Sequence, residues 1–157
     1  NNANDIFYKY LQTGKYEPRD SQQTIANAMD VGDPSNFARI YDLFGGSHEQ
    51  ISALMSGATY SDAQIRHAMK ACHDTTGYIL DPHGACGYQA LKDLLQPGEH
   101  GVFGETAHPA KFKNVVEDAI GTEVQIPERL AAFMKCTKQS VEMTKEFDSF
   151  KKFLMEQ

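Results

Sequence analysis

Thr106 and His108 stand in the stretch GETAHPAKF, residues 104–112, between the apolar run Gly101-Val102-Phe103 and a proline, Pro109, that opens a helical pattern. A hydroxyl and an imidazole at a strand-to-helix handover face the ligand crevice of an α/β layer, because free backbone N–H groups and the helix dipole point into it. His83 and Cys86 in DPHGACG, with His73, His100 and His108 elsewhere, raise two further chemistries: a metal site and a Cys–His nucleophile. The HxxC spacing has no partner pair at zinc-finger spacing, so no metal ligand is assigned. Nothing around Cys86 marks an exposed, activated thiol, and helix packing is its reading. The glycines of DPHGACG and DVGDPSN lie near helix starts, where N–H groups can meet an anion. Neither stretch is a P-loop or a dinucleotide fingerprint, and from spacing alone both are turns that cap helices.

The elements that must carry these residues are mostly helical. Ile6, Phe7, Tyr10 and Leu11 fall on one face before Gly14. Phe37, Ile40, Tyr41 and Phe44 repeat at i, i+3, i+4 and i+7, with Asp33 as N-cap, Pro34 at the first helical position and Gly45-Gly46 as a stop. Ser47 with Gln50, and Ser61 with Gln64, form Ser-x-x-Gln boxes that open two more helices. Further helices are predicted from about Gly84 to Leu95, from Pro109 to Ile120, and after Pro127 and Ser140. Strand signals are confined to Thr24–Val31, His100–Ala107 and, more weakly, Tyr78–Leu80. The pattern predicts a helix-rich α/β fold over a single unit, residues 1–157. The two candidate strands pair in parallel with Thr106 and Asp33 at one edge, and a helical excursion at about 47–77 lies beside the sheet.

With 157 residues and 41% hydrophobic content, the chain can bury one sizeable core. A net charge of −6, with Lys and Arg scattered, argues against nucleic acid and anionic membranes as partners. No apolar run reaches the length that spans a bilayer, no signal peptide opens the chain, and three cysteines without CxxC spacing suit a reducing compartment. The expected location is the cytoplasm. The start at Asn1, directly before a helical pattern, together with the small number of strands, is read as a piece of a longer chain.

TIANAMDVGDPSNFARI, YILDPHGACGY and ETAHPAKF, in this order, resemble the carboxyl-terminal part of the threonine synthases, and the resemblance extends over nearly the whole chain. NNANDIFY resembles the family segment just downstream of its glycine-rich phosphate-binding loop. The resemblance implies a fold type II pyridoxal-phosphate enzyme, related to tryptophan synthase β, with open parallel-sheet α/β domains and pyridoxal 5'-phosphate in the cleft between them. It implies conversion of O-phospho-L-homoserine and water to L-threonine and phosphate: removal of the α-proton, loss of the γ-phosphate, then addition of water at the β-carbon. The family's catalytic Schiff-base lysine lies upstream, and no lysine here sits in its motif, so no catalytic residue is assigned and the fragment alone is expected to be inactive. By match to the TAHPAKF-like motif, the Thr106 hydroxyl meets the pyridine nitrogen of the cofactor. Asp33, Ser35, Asn36 and Arg39 approach the substrate side, Arg39 as a bidentate partner for phosphate, while Asp81 and His83 shape the pocket wall. Relatives often carry Asn where Asp33 stands, and a carboxylate beside a dianionic substrate is unfavourable. The implied partners are the missing amino-terminal part of the chain and the substrate, with self-association of the isolated fragment through uncovered apolar surface. The alternative from another class is a non-catalytic binding or assembly module that retains the fold.

Overall fold

Ile65, Ala68, Met69 and Cys72 recur at i, i+3, i+4 and i+7, and this apolar stripe forms the centre of the fold. The computed structural model describes residues 1–156. The stripe belongs to α4 (Asp62–Thr76), which packs against α5 (Pro82–Leu94) and α6 (Lys113–Ile120). Leu80, Ala85, Val116, Ile120 and Val124 close around it, all buried. Full burial of a side chain such as Ile65 or Leu80 contributes about 1.5–3 kcal/mol. A second, aromatic cluster joins α1 (Ile6–Thr13), α2 (Phe37–Leu43) and α3 (His48–Leu54) through Tyr10, Leu11 and Ile51. In it Phe37 stacks on Tyr16 at 4.0 Å and meets Tyr10 edge-on at 4.7 Å. Two compact units result: residues Asn1–Gln125, which hold all of these elements, and Ile126–Gln157, which holds α7 (Glu128–Met134) and α8 (Phe147–Met155).

Local signals place the helix ends. Ser61 accepts the Gln64 N–H while the Gln64 side chain takes the Ser61 N–H, a complete capping box, and α4 stops at Gly77 in the left-handed region (φ 74°). Ser47 caps α3 in the same way on the side-chain half only. Ser61→Ala is expected to destabilise the first unit by about 1 kcal/mol and Ser61→Gly by only a few tenths. Thermal or urea unfolding checks this, and equal losses for the two variants would contradict it.

Three expectations are corrected. Asp33 is not the cap of α2: the helix starts at Phe37 after Asn36, which makes no side-chain cap hydrogen bond. The Pro109–Ile120 helix is divided into a 3-10 turn, Pro109–Phe112, and α6. Among the described residues there is no strand. Thr24–Val31 is interrupted by a 3-10 turn at Asn27–Met29, because its groups are taken by side chains: the Asp30 carboxylate accepts from the Thr24 N–H and hydroxyl and from the Asn2 and Asn4 amides, at 2.7–3.0 Å.

Residues 100–107 also lack a ladder, yet their contacts alternate as in an extended chain. Gly101 lies against Leu91 and Leu95, Phe103 against Gly87 and Tyr88, and Glu105 against Gly84, so the segment runs antiparallel along α5. Val102, Gly104 and Thr106 form the opposite, exposed row, with Val102 96% exposed. This period of two is that of a strand packed on a helix.

Candidate functional site

The segments DPHGACG and GETAHPAKF are locked together at the start of α5. Asp81 is the true N-cap of that helix, with Pro82 at its first position; its Oδ1 accepts the His83 backbone N–H at 2.8 Å and lies 2.6 Å from His83 Nδ1. The side chain is fully buried. Glu105 reaches in from the extended segment, and its Oε1 accepts the Asp81 backbone N–H at 2.9 Å. Phe112 packs over the His83 ring at 4.7 Å, a second link between the same two segments.

The electrostatics separate the two carboxyls. Burial works to raise the Asp81 pKa, but hydrogen bonds from the Glu105 carboxyl and from the His83 backbone and ring outweigh it and leave Asp81 below its ordinary value. Burial, and then the hydrogen bond to Asp81 and its charge, push Glu105 up to about 7 against the pull of the Asp81 N–H. Asp81 is therefore the member that ionises first, and Glu105 is the neutral acid below neutral pH.

The segment TIANAMDVGDPSNFARI meets DPHGACG at a cavity of about 240 Å³, whose lining includes Asn2, Met29, Val31, Pro34, His83 and Cys86. Most of this wall is apolar, and His83 is its one imidazole. The Cys86 thiol lies 3.6 Å from the Pro82 carbonyl, and burial pushes its pKa up. An activated nucleophile needs the opposite shift. Among the described residues no three His, Cys, Asp or Glu side chains gather as a metal site, and no helix is long and apolar enough to cross a membrane.

Thr106 is exposed at the end of the outward row, in a segment expected from sequence to be a strand and found here without a ladder. His108 is a cap, its Nδ1 accepting the Ala110 N–H at 3.1 Å. Asp33, Ser35, Asn36 and Arg39 are all exposed, along the loop into α2 and its first turn. Asp33 accepts the Tyr16 hydroxyl at 2.8 Å; burial and this bond push Tyr16 up to about 12, so it remains a donor. Gly32, a candidate anion cradle, instead lets two backbones touch: its carbonyl accepts the Arg19 N–H at 3.0 Å, and a Cβ there would fall on the Arg19 carbonyl. Glu105 was missed as a functional candidate. Its only signal was a carboxylate on the otherwise apolar side of the alternating run 101–106.

Comparison with known proteins gives a consistent result. Residues 1–102 match the family model for pyridoxal-phosphate dependent enzymes, and residues 84–154 that for the threonine synthase C-terminal region. Threonine synthase of Haemophilus influenzae is 39% identical over 98% of this chain, and that of Serratia marcescens 40% identical over the same share. The crystal structure of threonine synthase from Escherichia coli matches 99% of the chain with a TM-score of 0.82 at 35% identity. That of pyridoxal-phosphate-bound threonine synthase from Brucella melitensis matches 99% with 0.75 at 26%. The chain spans 36% and 35% of the two sequence relatives, and 36% and 39% of the two structures.

Proposed function

The chain belongs to the pyridoxal-phosphate dependent enzyme family, and on that ground we propose that it forms the carboxyl-terminal part of a threonine synthase acting on O-phospho-L-homoserine and water. The observation that carries this reading is that threonine synthases match it almost end to end in both sequence and fold. The arrangement around Thr106 suits the cofactor. The outward row Val102, Gly104 and Thr106 offers a neutral hydroxyl and no carboxylate, since Glu105 turns inward. The Thr106 hydroxyl would hold the cofactor at its pyridine nitrogen, where a neutral partner would favour elimination and replacement over transamination. Bound pyridoxal phosphate supplies the electron sink for the carbanion chemistry.

The other residues of this chain orient and exclude. His83, Val31 and Pro34 form a largely apolar wall. Asp33, Ser35, Asn36 and Arg39 lie on the substrate side, where the guanidinium of Arg39 pairs with the substrate phosphate. Asp33 there accepts the Tyr16 hydroxyl. The strand-like run 100–107, packed on α5 on one side only, takes its place in the parallel sheet of a fold type II domain completed by the rest of the polypeptide. The lysine that holds the cofactor also comes from there, and the isolated segment 1–157 is inactive.

The test is turnover of O-phospho-L-homoserine by the full-length polypeptide loaded with pyridoxal phosphate. L-Threonine and phosphate are expected in equal amounts, with borohydride reduction fixing the cofactor on a lysine outside residues 1–157. Phosphate release without threonine, or a stoichiometric label within 1–157, would sink the assignment.

A further inference from the structure

Glu105 is the last residue of the inward row on α5, and its carboxyl fills the space that a side chain at position 84 would need. A Cβ built on Gly84 would meet the Glu105 carboxylate carbon and both of its oxygens. One Glu105 oxygen is engaged by the Asp81 N–H, and one Asp81 oxygen by His83. The remaining pair, Asp81 Oδ2 and Glu105 Oε2, are buried and have no partner among the described groups. Two ionised carboxylates in contact repel, whereas one proton between them satisfies both orphan oxygens. We propose that Glu105 is the positioning residue for Thr106: its protonated carboxyl, bridged to Asp81 and seated over Gly84, pins the segment to α5 and holds the Thr106 hydroxyl outward to meet the cofactor.

The inference rests on the assignment of Thr106 above and follows from the alternation of the chain. With Glu105 fixed inward, the next side chain must point the other way. Loss of the Glu105 anchor leaves Phe103 as the nearest inward contact, two residues further back. The titratable groups at this contact are Asp81, which faces Glu105, and His83, which bonds Asp81; Phe112, against the His83 ring, is uncharged. The Glu105 pKa of about 7 is raised above the unfolded value of 4.5. The folded chain thus keeps a proton that the unfolded chain has released. Its stabilising contribution is full below the ordinary carboxyl range and declines as pH rises towards about 7. Above that pH the shared proton is lost, the two carboxylates repel, and the Asp81 N–H is the hydrogen bond that still holds Glu105.

The experiment uses the full-length protein and titrates pyridoxal phosphate from one pH unit below to one above the Glu105 midpoint. In the parent, Kd is expected to rise severalfold across this window. Glu105→Gln, whose amide can donate to Asp81 and accept from its N–H, should bind as tightly as the parent at the low end and lose the rise attributable to this group. Glu105→Ala should bind about tenfold more weakly throughout, the equivalent of one lost hydrogen-bonded anchor. A protonated-carboxyl infrared band should be present in the cofactor-free parent at the low end and missing from Glu105→Gln. If Glu105→Ala does not fold, Gly84→Ala expels the carboxyl by steric contact and should weaken binding similarly, with relief in the Gly84→Ala/Glu105→Ser double variant. An unchanged Kd in Glu105→Ala, or a Glu105→Gln curve identical to the parent's, overturns the proposal. Failure of the Thr106 assignment has a different signature: Thr106→Val would then bind cofactor normally while the infrared band persisted.

Discussion

Thr106→Val in the full-length polypeptide is expected to cost about 1–3 kcal/mol of cofactor binding, roughly five- to 150-fold in Kd, because under the proposed assignment it deletes the hydroxyl that would partner the pyridine nitrogen. The substitution conserves volume and side-chain branching. Thr106 is exposed within this chain, so stability without cofactor should change by no more than about 0.5 kcal/mol. This separates a binding defect from a folding defect. Thr106→Ser, which keeps the hydroxyl, should recover most of the affinity, and turnover should follow the same order. Lys151→Ala, on an exposed position of α8, is the neutral comparison. Equal cofactor affinity for parent and Val variant would return Thr106 to the role of a segment-end residue.

The second large effect is structural. Gly32→Ala is expected to destabilise the first unit by about 3 kcal/mol, at the upper end of overpacking costs. The added methyl would meet the carbonyl of Arg19 and the amide of Ser21, which are backbone and cannot rotate away. Relief would require breaking the Arg19 N–H bond to the Gly32 carbonyl and moving the loop that leads to Asp33 and Arg39. Gly57→Ala is the comparison, since its methyl would meet chiefly the side-chain ends of Leu11 and Tyr8, which can shift. Its cost should stay within about 1 kcal/mol. Urea unfolding of the two variants measures the difference, and equal midpoints would refute the argument.

Local chemistry was the legible part of the sequence. The Ser61–Gln64 box and the apolar face of α1 before its Gly14 stop are encoded within four to seven neighbours and fold as read. The start of α5 was set at about Gly84, although Asp81-Pro82 already carried the cap signal. What escaped was non-local. Asp81 and Glu105 are 24 residues apart and Asn2 and Asp30 are 28 apart, and nothing in either neighbourhood announces the other. The expectation of strands failed for a related reason at Thr24–Val31, where side chains captured backbone groups that a ladder would have used. At 100–107 the strand expected from sequence is not formed among the described residues, although the contacts alternate as in an extended chain. The residues Asp33, Ser35, Asn36 and Arg39 came from family resemblance, and their shared exposure along one loop and helix turn is compatible with a surface that faces a ligand.

The Asp30 hub has a consequence for how this region tolerates mutation. One carboxylate serves Asn2, Asn4 and Thr24, and Asn2 also reaches the Ala26 carbonyl at 3.2 Å, so these positions form one polar unit. Loss of Asp30 removes the acceptor of the Thr24 N–H and hydroxyl and one partner each of Asn2 and Asn4, and a later change at Asn2 or Thr24 then removes a group that has already lost part of its bonding. Substitutions here are strongly epistatic, with the first step steep and later ones shallow. A viable path from this arrangement to an apolar one therefore begins at the donors, and the acceptor is exchanged last.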